Sequence, residues 1–265
     1  MTSEQRREAR YQRRKRKRDL KRMRRAYACG RLEDVFTFRS LYKTAKKAYR
    51  GVNWKSSTQI YRSNSVSELW DSKTKVLSGS YRSKGFVEFD ILERGKKRHI
   101  RSVHISERII QKCLCDYVLT PCFSPTLIYD NGASTSGKGI HFALNRLTCH
   151  LQRHYRKYGT EGYALLFDFS KYFDTASHVP IFEAIDRNVA DEEVIHQTKY
   201  FIDQFGDFGL GLGSQISQLA ALVLPNSLDH IIKEKLRIKG YARYMDDGYL
   251  LHPSKEYLET CLLVI

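Results

Sequence analysis

The chain is 265 residues long and 42% hydrophobic, enough to bury a large core shared by two subdomains. Its 46 Lys and Arg outnumber 29 Asp and Glu, and the net charge of +17 points to a polyanionic partner held through counterion release. No stretch approaches the ~20 apolar residues of a membrane span and the start is too charged for a secretory signal, which excludes a membrane protein and makes the cytoplasm the expected compartment.

Residues 1–30 open with a block of Arg and Lys running from Arg6 to Arg25. Like charges so dense repel one another, so the block is expected to be disordered, or helical only when bound. It reads as an arm for a polyanion or acidic partner, or as a solubilising tail. Val35, Phe36, Phe38, Leu41, Tyr42, Ala45, Ala48 and Tyr49 recur at helical spacing and predict an amphipathic helix. Tyr81 to Arg101 reads as extended strands, and Ile109 to Val118 and Phe142 to Leu151 carry further helical apolar faces. Tyr163 to Phe167 is a short apolar run, read as a buried strand that stops at Asp168. Ser177 or His178 caps a helix with Pro180 in its first turn. Leu219 to Leu236 predicts a helix bent near Pro225. Residues 241–252 read as strand, turn, strand, with Asp and Gly supplying the turn. This irregular alternation, without internal repeat, is the layout of an α+β fold. The six cysteines show neither zinc-type pairing nor a disulfide framework, and free thiols are expected. The nine histidines lack a ligand pattern as well.

Tyr244-Met245-Asp246-Asp247 carries the sharpest chemical signal. Two like charges a few ångströms apart repel by about 1 kcal/mol in water and by several times that near a protein surface. A divalent cation reverses the sign of that cost. Alone, the pair reads more readily as an ordinary solvated turn. Asp168, at a second strand end, is the natural partner that turns it into a cation site. Mg²⁺ takes oxygen ligands, usually one or two carboxylates plus substrate phosphates. Two such ions about 3.5–4 Å apart clamp the attacking and leaving oxygens of an in-line displacement.

Phe167 to Asp174 (Phe-Asp-Phe-Ser-Lys-Tyr-Phe-Asp) resembles the first catalytic motif of reverse transcriptases, and Tyr244 to Asp247 resembles their second carboxylate motif. Gly211 to Gln218 (Gly-Leu-Gly-Ser-Gln-Ile-Ser-Gln) resembles the nucleotide-positioning motif between them, and all three follow that family's order. Lys97 to Gln111 is similar to the fingers segment of bacterial retroelement enzymes, and Tyr129 to Leu144, with Gly137-Lys138-Gly139, to the segment that follows. The likeness implies a right-hand polymerase of the α+β class. Residues 1–30 would be the RNA-contacting arm, 31–160 the fingers with the start of the palm, and 161–265 a palm with an antiparallel sheet, incomplete at its C-terminus and with the thumb absent. Cys261 to Ile265 is an apolar run without a helix stop signal, so a truncated sequence is expected.

The resemblance further implies RNA-directed DNA synthesis. Asp168 and Asp246 would hold two Mg²⁺ ions, with Mn²⁺ as a substitute, the Phe169 carbonyl as an extra ligand and Asp247 in support. Arg98, with Lys97 or Lys96 beside it, would hold the triphosphate, since Arg offers a planar fork and Lys a point charge. The plain alternative is a solvated basic hairpin around Arg94 and Gly95. Phe173 would lie beneath the sugar and exclude a 2′-hydroxyl, or else be a core aromatic beside Tyr172. The implied partners are template RNA, a nucleic-acid primer, a deoxynucleotide and a small accessory protein.

One departure narrows the choice. Leu212-Gly213 and Ser217-Gln218 stand where most reverse transcriptases have Gln-Gly and Ser-Pro, a pattern similar to that of diversity-generating retroelement enzymes, which misincorporate opposite template adenines. Leu cannot donate the hydrogen bonds of a Gln amide, so base-pair geometry would be policed less tightly. The alternative is a packing variant in a faithful enzyme. Group II intron-like and phage-defence reverse transcriptases are the neighbouring readings. From a different class, the rival is a basic RNA-binding protein with an unused polymerase site.

Overall fold

Two antiparallel hairpins, each served by its own helices, organise the chain. The computed structural model describes residues 1–93 and 95–265, apart from the side chains of Glu93 and Lys96. Arg94 of the expected basic turn, and the Lys96 side chain offered to the triphosphate, therefore lie outside the described residues.

The basic block stands as a helix, Ser3–Ala28, rather than as a disordered segment. Long unbranched Arg, Lys, Gln and Glu side chains lose little freedom in a helix. A capping box at Thr2 and Gln5 closes its start, with Gln5 N donating to Thr2 Oγ1 (3.2 Å) and Thr2 N to Gln5 Oε1 (2.9 Å). Only Ala26 is buried, and the C-terminal end rests against helices Thr120–Phe123 and His178–Asn188.

Helix Ile105–Leu114 is the centre of the larger core. Ile109, Ile110, Cys113 and Leu114 have no exposed surface, and each such side chain contributes about 1.5–3 kcal/mol of burial. Helices Phe38–Ala48, Ser56–Ser63, Ser65–Leu77, Glu192–Asp203 and Gln215–Val223 surround it. The helix predicted over residues 35–49 is thus interrupted: it restarts at Phe38, where Thr37 accepts from Ser40 N. Pro225 acts as expected, separating Gln215–Val223 from Asn226–His230.

Strands β1 (Phe86–Glu93) and β2 (Lys96–Val103) form a two-stranded hairpin that starts inside the expected extended segment and ends two residues beyond it. Strands β3 (Tyr163–Phe167), β4 (Gly240–Tyr244) and β5 (Asp247–His252) form an antiparallel sheet in the order β3-β5-β4. Helix Ile140–Tyr158 lies across β4 and β5, and helix Lys255–Leu262 against β5 and β3. A second core of Ile128, Ile232, Ile238, Tyr241, Leu250 and Leu258 sits under this sheet.

The expected burial of β3 does not hold. It is paired only with β5 among the described residues, and Leu166 is 77% exposed. An apolar run records that a strand forms, not how many of its faces are covered. The six cysteines are free thiols. Among the described residues no helix is long and apolar enough to cross a membrane.

Candidate functional site

Strand register brings the predicted carboxylates together. Phe167 pairs with Gly248 across β3 and β5, so Asp168 emerges beside Asp247. Tyr244 pairs with Asp247 across β4 and β5, which leaves Met245 and Asp246 as a two-residue turn. Met245 carries the positive φ of a primed hairpin turn, 56°, in a residue that is not glycine. Gly248, expected to serve the turn, is instead a strand residue that leaves room for the Phe167 ring.

Asp246 is half-buried, whereas Asp168 and Asp247 are exposed. Burial first, then the charges of Asp247 and Asp168 and a hydrogen-bonding contact with Asp168, push the Asp246 carboxyl above the usual carboxylate range. The like-charge part of this cost is what a divalent cation relieves, and carboxylate oxygens at adjoining strand ends are the hard donors such an ion takes. Among the described residues no group of three or more His, Cys, Asp or Glu side chains is placed to hold a metal ion by itself. Mg²⁺, which completes its octahedron with phosphates and water, does not require an all-protein cage. Phe169 follows Asp168, its ring edge-on to Phe167 and stacked on Tyr172, both with centroids 5.5 Å apart.

Arg243, which precedes the motif, does not neutralise these carboxylates. Its guanidinium is buried against Asp229, donating from Nε at 2.9 Å and from Nη2 at 2.7 Å, and the Tyr241 hydroxyl also donates to Asp229. Neither Arg243 nor Asp229 was legible as a site residue. Their only sequence signal was two opposite charges, one on a predicted helix and one on a predicted strand.

The segment Gly209 to Gly213 meets the residues that follow Asp168 directly. Leu210 N donates to the Phe173 carbonyl (2.6 Å) and Gly209 N to the Ala176 carbonyl (2.8 Å). A cleft of about 310 Å³ opens there, lined by Phe173, Leu212, Phe208, His99, Arg101 and Glu88 among others. Gly213, at φ 107°, holds a conformation that a side chain would strain. Ser214 caps helix Gln215–Val223 through Ser217 N (3.2 Å) and donates to Gln111 Oε1 (2.7 Å), fastening the loop to the central helix. Ser217 is fully buried with its hydroxyl unpartnered, and Gln218 is exposed. Neither lines the cleft.

Alternation along β2 sets Lys97, His99 and Arg101 on one face with Glu88 and Asp90, and Arg98 on the other. Lys97 is exposed and paired with Asp90 (2.9 Å). Arg101, not singled out from the sequence, is the basic residue that reaches the cleft. Its guanidinium lies over the Phe86 ring at 4.7 Å and the Phe205 ring at 5.7 Å, with Nε donating to Glu88 (3.0 Å). Strand period was the signal that separated it from Arg98. A second cleft, about 410 Å³, runs past Asp168 and Asp247 between Leu144, Leu147 and Leu166.

No protein-family model matches the chain, and no curated protein matches it. Solved structures do. A partial Cas6-RT-Cas1–Cas2 complex aligns with a TM-score of 0.51 and 16% identity, over 85% of this chain and 39% of that chain. A Cas6-RT-Cas1–Cas2 complex aligns with a TM-score of 0.51 and 16% identity, over 85% of this chain and 24% of that one. An apo telomerase from Candida tropicalis, truncated from its C-terminal domain, gives a TM-score of 0.45 at 15% identity over 66% of this chain and 44% of that one. The chain thus spans 24–39% of the length of the first two structures. The first two similarities show a shared fold, that of a part of these RT-containing complexes.

Proposed function

We propose that the chain is an RNA-directed DNA polymerase, a reverse transcriptase that extends a primer 3′-hydroxyl with deoxynucleotides. The observation that carries this reading is the strand register that sets Asp168, Asp246 and Asp247 at adjoining strand ends, where their charges repel one another. Similarity of fold to RT-containing complexes supports it. Asp168 and Asp246, with the Phe169 carbonyl and Asp247 in support, would hold Mg²⁺ or Mn²⁺. When bound, the metal would supply charge neutralisation for the transferred phosphoryl group. The protein's own part is positioning. Phe173 and Leu212 wall the cleft on the sugar and base side, and Arg101, with Arg98 and Lys97 on the same hairpin, brings positive charge to the triphosphate.

In this reading β1 and β2 belong to the fingers, the sheet β3-β5-β4 to the palm, and helix Ser3–Ala28 is the arm that grips template RNA through phosphate contacts. Leu212 in place of Gln favours the diversity-generating subclass, with its error-prone copying and small accessory protein, over group II intron-like and phage-defence enzymes. A second reading, a basic RNA-binding protein with an unused polymerase site, is favoured by the exposed basic helix alone. Primer extension on an RNA template with Mg²⁺ separates the two. Deoxynucleotide incorporation that disappears in Asp168→Asn is the expected result. Tight RNA binding without incorporation, in the chain and in a version extended at its C-terminus, would favour the binder.

A further inference from the structure

Arg243 joins three separate parts of the chain. Nε and Nη2 donate to both oxygens of Asp229 (2.7–3.1 Å), Nη2 also donates to the Leu222 carbonyl (3.0 Å), and Nη1 donates to the Met245 carbonyl (2.6 Å). Leu222 lies in the last turn of helix Gln215–Val223, where carbonyls lack helical partners. The start of that helix carries the Leu212–Ser214 loop. Met245 is the turn residue next to Asp246. One side chain therefore spans from the helix that follows the cleft-lining Leu210–Leu212 segment to the hairpin that presents the carboxylate.

Stability alone does not account for this arrangement. Burying an ion pair requires desolvating both ions, and a well-packed apolar pair of similar volume is often as stable or more so. A lysine would satisfy Asp229 but, as a point charge, lacks the planar fork needed to reach all three acceptors. The link to the Met245 and Leu222 carbonyls is what only the guanidinium supplies. Met245 also holds a positive φ, 56°, which a residue with a side chain keeps only where its surroundings impose it.

Resting on the polymerase reading above, we propose that Arg243, with Asp229 as its counter-ion, is a positioning residue: it fixes the Met245 carbonyl and thereby the placement of the Asp246 carboxylate against Asp168.

The test uses the full chain and Mn²⁺ alone, with binding followed by electron paramagnetic resonance and folding by thermal unfolding. Four variants accompany the wild type: Asp246→Asn, Arg243→Lys, Arg243→Met with Asp229→Leu, and Asp229→Leu alone. The apolar double variant is expected to unfold close to the wild-type temperature yet bind Mn²⁺ about 10- to 100-fold more weakly, the usual cost of losing a group that orients a metal ligand. Asp229→Leu alone, which strands the Arg243 charge, should lose stability. Arg243→Lys should weaken Mn²⁺ binding in the same direction. A folded double variant with wild-type Mn²⁺ affinity overturns the proposal. If the double variant does not fold, wild-type affinity in Arg243→Lys overturns it. Wild-type Mn²⁺ binding that survives Asp246→Asn removes the polymerase reading itself, so the two failures are distinguishable.

Discussion

The Phe167 ring occupies the space above Gly248: a Cβ at Gly248 would lie 2.2 Å from Phe167 Cζ. Because these two residues are cross-strand partners, the absence of a side chain on one sets how closely β3 approaches β5, and hence where Asp168 emerges. Gly248→Ala should cost about 1–3 kcal/mol through overpacking and reduce primer extension. Phe167→Leu in the same chain should recover part of both, as read by denaturant unfolding and extension rate. A Gly248→Ala chain of undiminished stability would show that the strands adjust freely.

The carboxylates trade stability for chemistry. Asp246 titrates above its ordinary range, so in the metal-free chain its stabilising, protonated form is lost as pH climbs through that raised value. Asp246→Asn should therefore stabilise the metal-free chain by a few tenths to about 1 kcal/mol, the scale of a partly solvated charge pair. It should also abolish Mg²⁺-dependent incorporation. Urea unfolding in the presence of a chelator measures the first effect and primer extension the second.

Phe173 and Leu212 line one cleft, and the proposed function assigns them different selections. Phe173→Ala should raise ribonucleotide incorporation by about 10- to 100-fold, since a steric gate discriminates by a few kcal/mol at most. An unchanged sugar preference would take Phe173 out of that role. Leu212→Gln should lower misincorporation opposite template adenine, and sequencing of the products reports it directly.

His150 predicts an acid-sensitive seam between helix Ile140–Tyr158 and β5. Buried at 3% exposure, it has Nδ1 at 2.9 Å from the Tyr249 hydroxyl and Nε2 at 3.2 Å from Arg146 Nη2. Arg146 only donates, so Nε2 accepts and the ring is neutral. Burial foremost, opposed by Asp130 and aided by Lys233, Arg146 and Arg153, lowers its pKa from 6.5 to about 4. As pH falls through that window the unfolded chain takes up the proton first. Stability from His150 is thus complete above 6.5 and drains away toward 4, by on the order of 2 kcal/mol. His150→Gln should flatten that dependence, and urea midpoints across the window check it.

Helix Ser3–Ala28 should contribute mainly electrostatic affinity. Replacing Arg6, Arg10, Arg13 and Arg14 with Gln should reduce the slope of log affinity against log salt by about 0.7 for each lost contact to single-stranded RNA. Extension at saturating template should be spared. An unaltered slope would mean that RNA bypasses the helix.

How much of this was legible in the sequence depended on how local each signal was. The bounds of β3 and of the β4–β5 hairpin followed from short apolar runs ending at Asp168 and flanking Asp246, because strand formation is written in neighbouring residues. The edge position of β3 was not legible, since Leu166 looks the same in sequence whether covered or bare. The Arg243–Asp229 pair was hidden because its residues belong to different elements, a strand and a helix, with no periodicity linking them. The basic block was read as disordered or helical only when bound because charge repulsion was weighed above the helix propensity of the same side chains, which form helix Ser3–Ala28.

The open side of β3 bears on handling the protein. A strand paired on one side only presents unpaired amide and carbonyl groups in a row, and here Leu166 and Tyr163 stand bare beside them. Such an edge is a template for a second strand. Self-association through this border should therefore rise with concentration, and Leu166→Lys should reduce it, as light scattering would report.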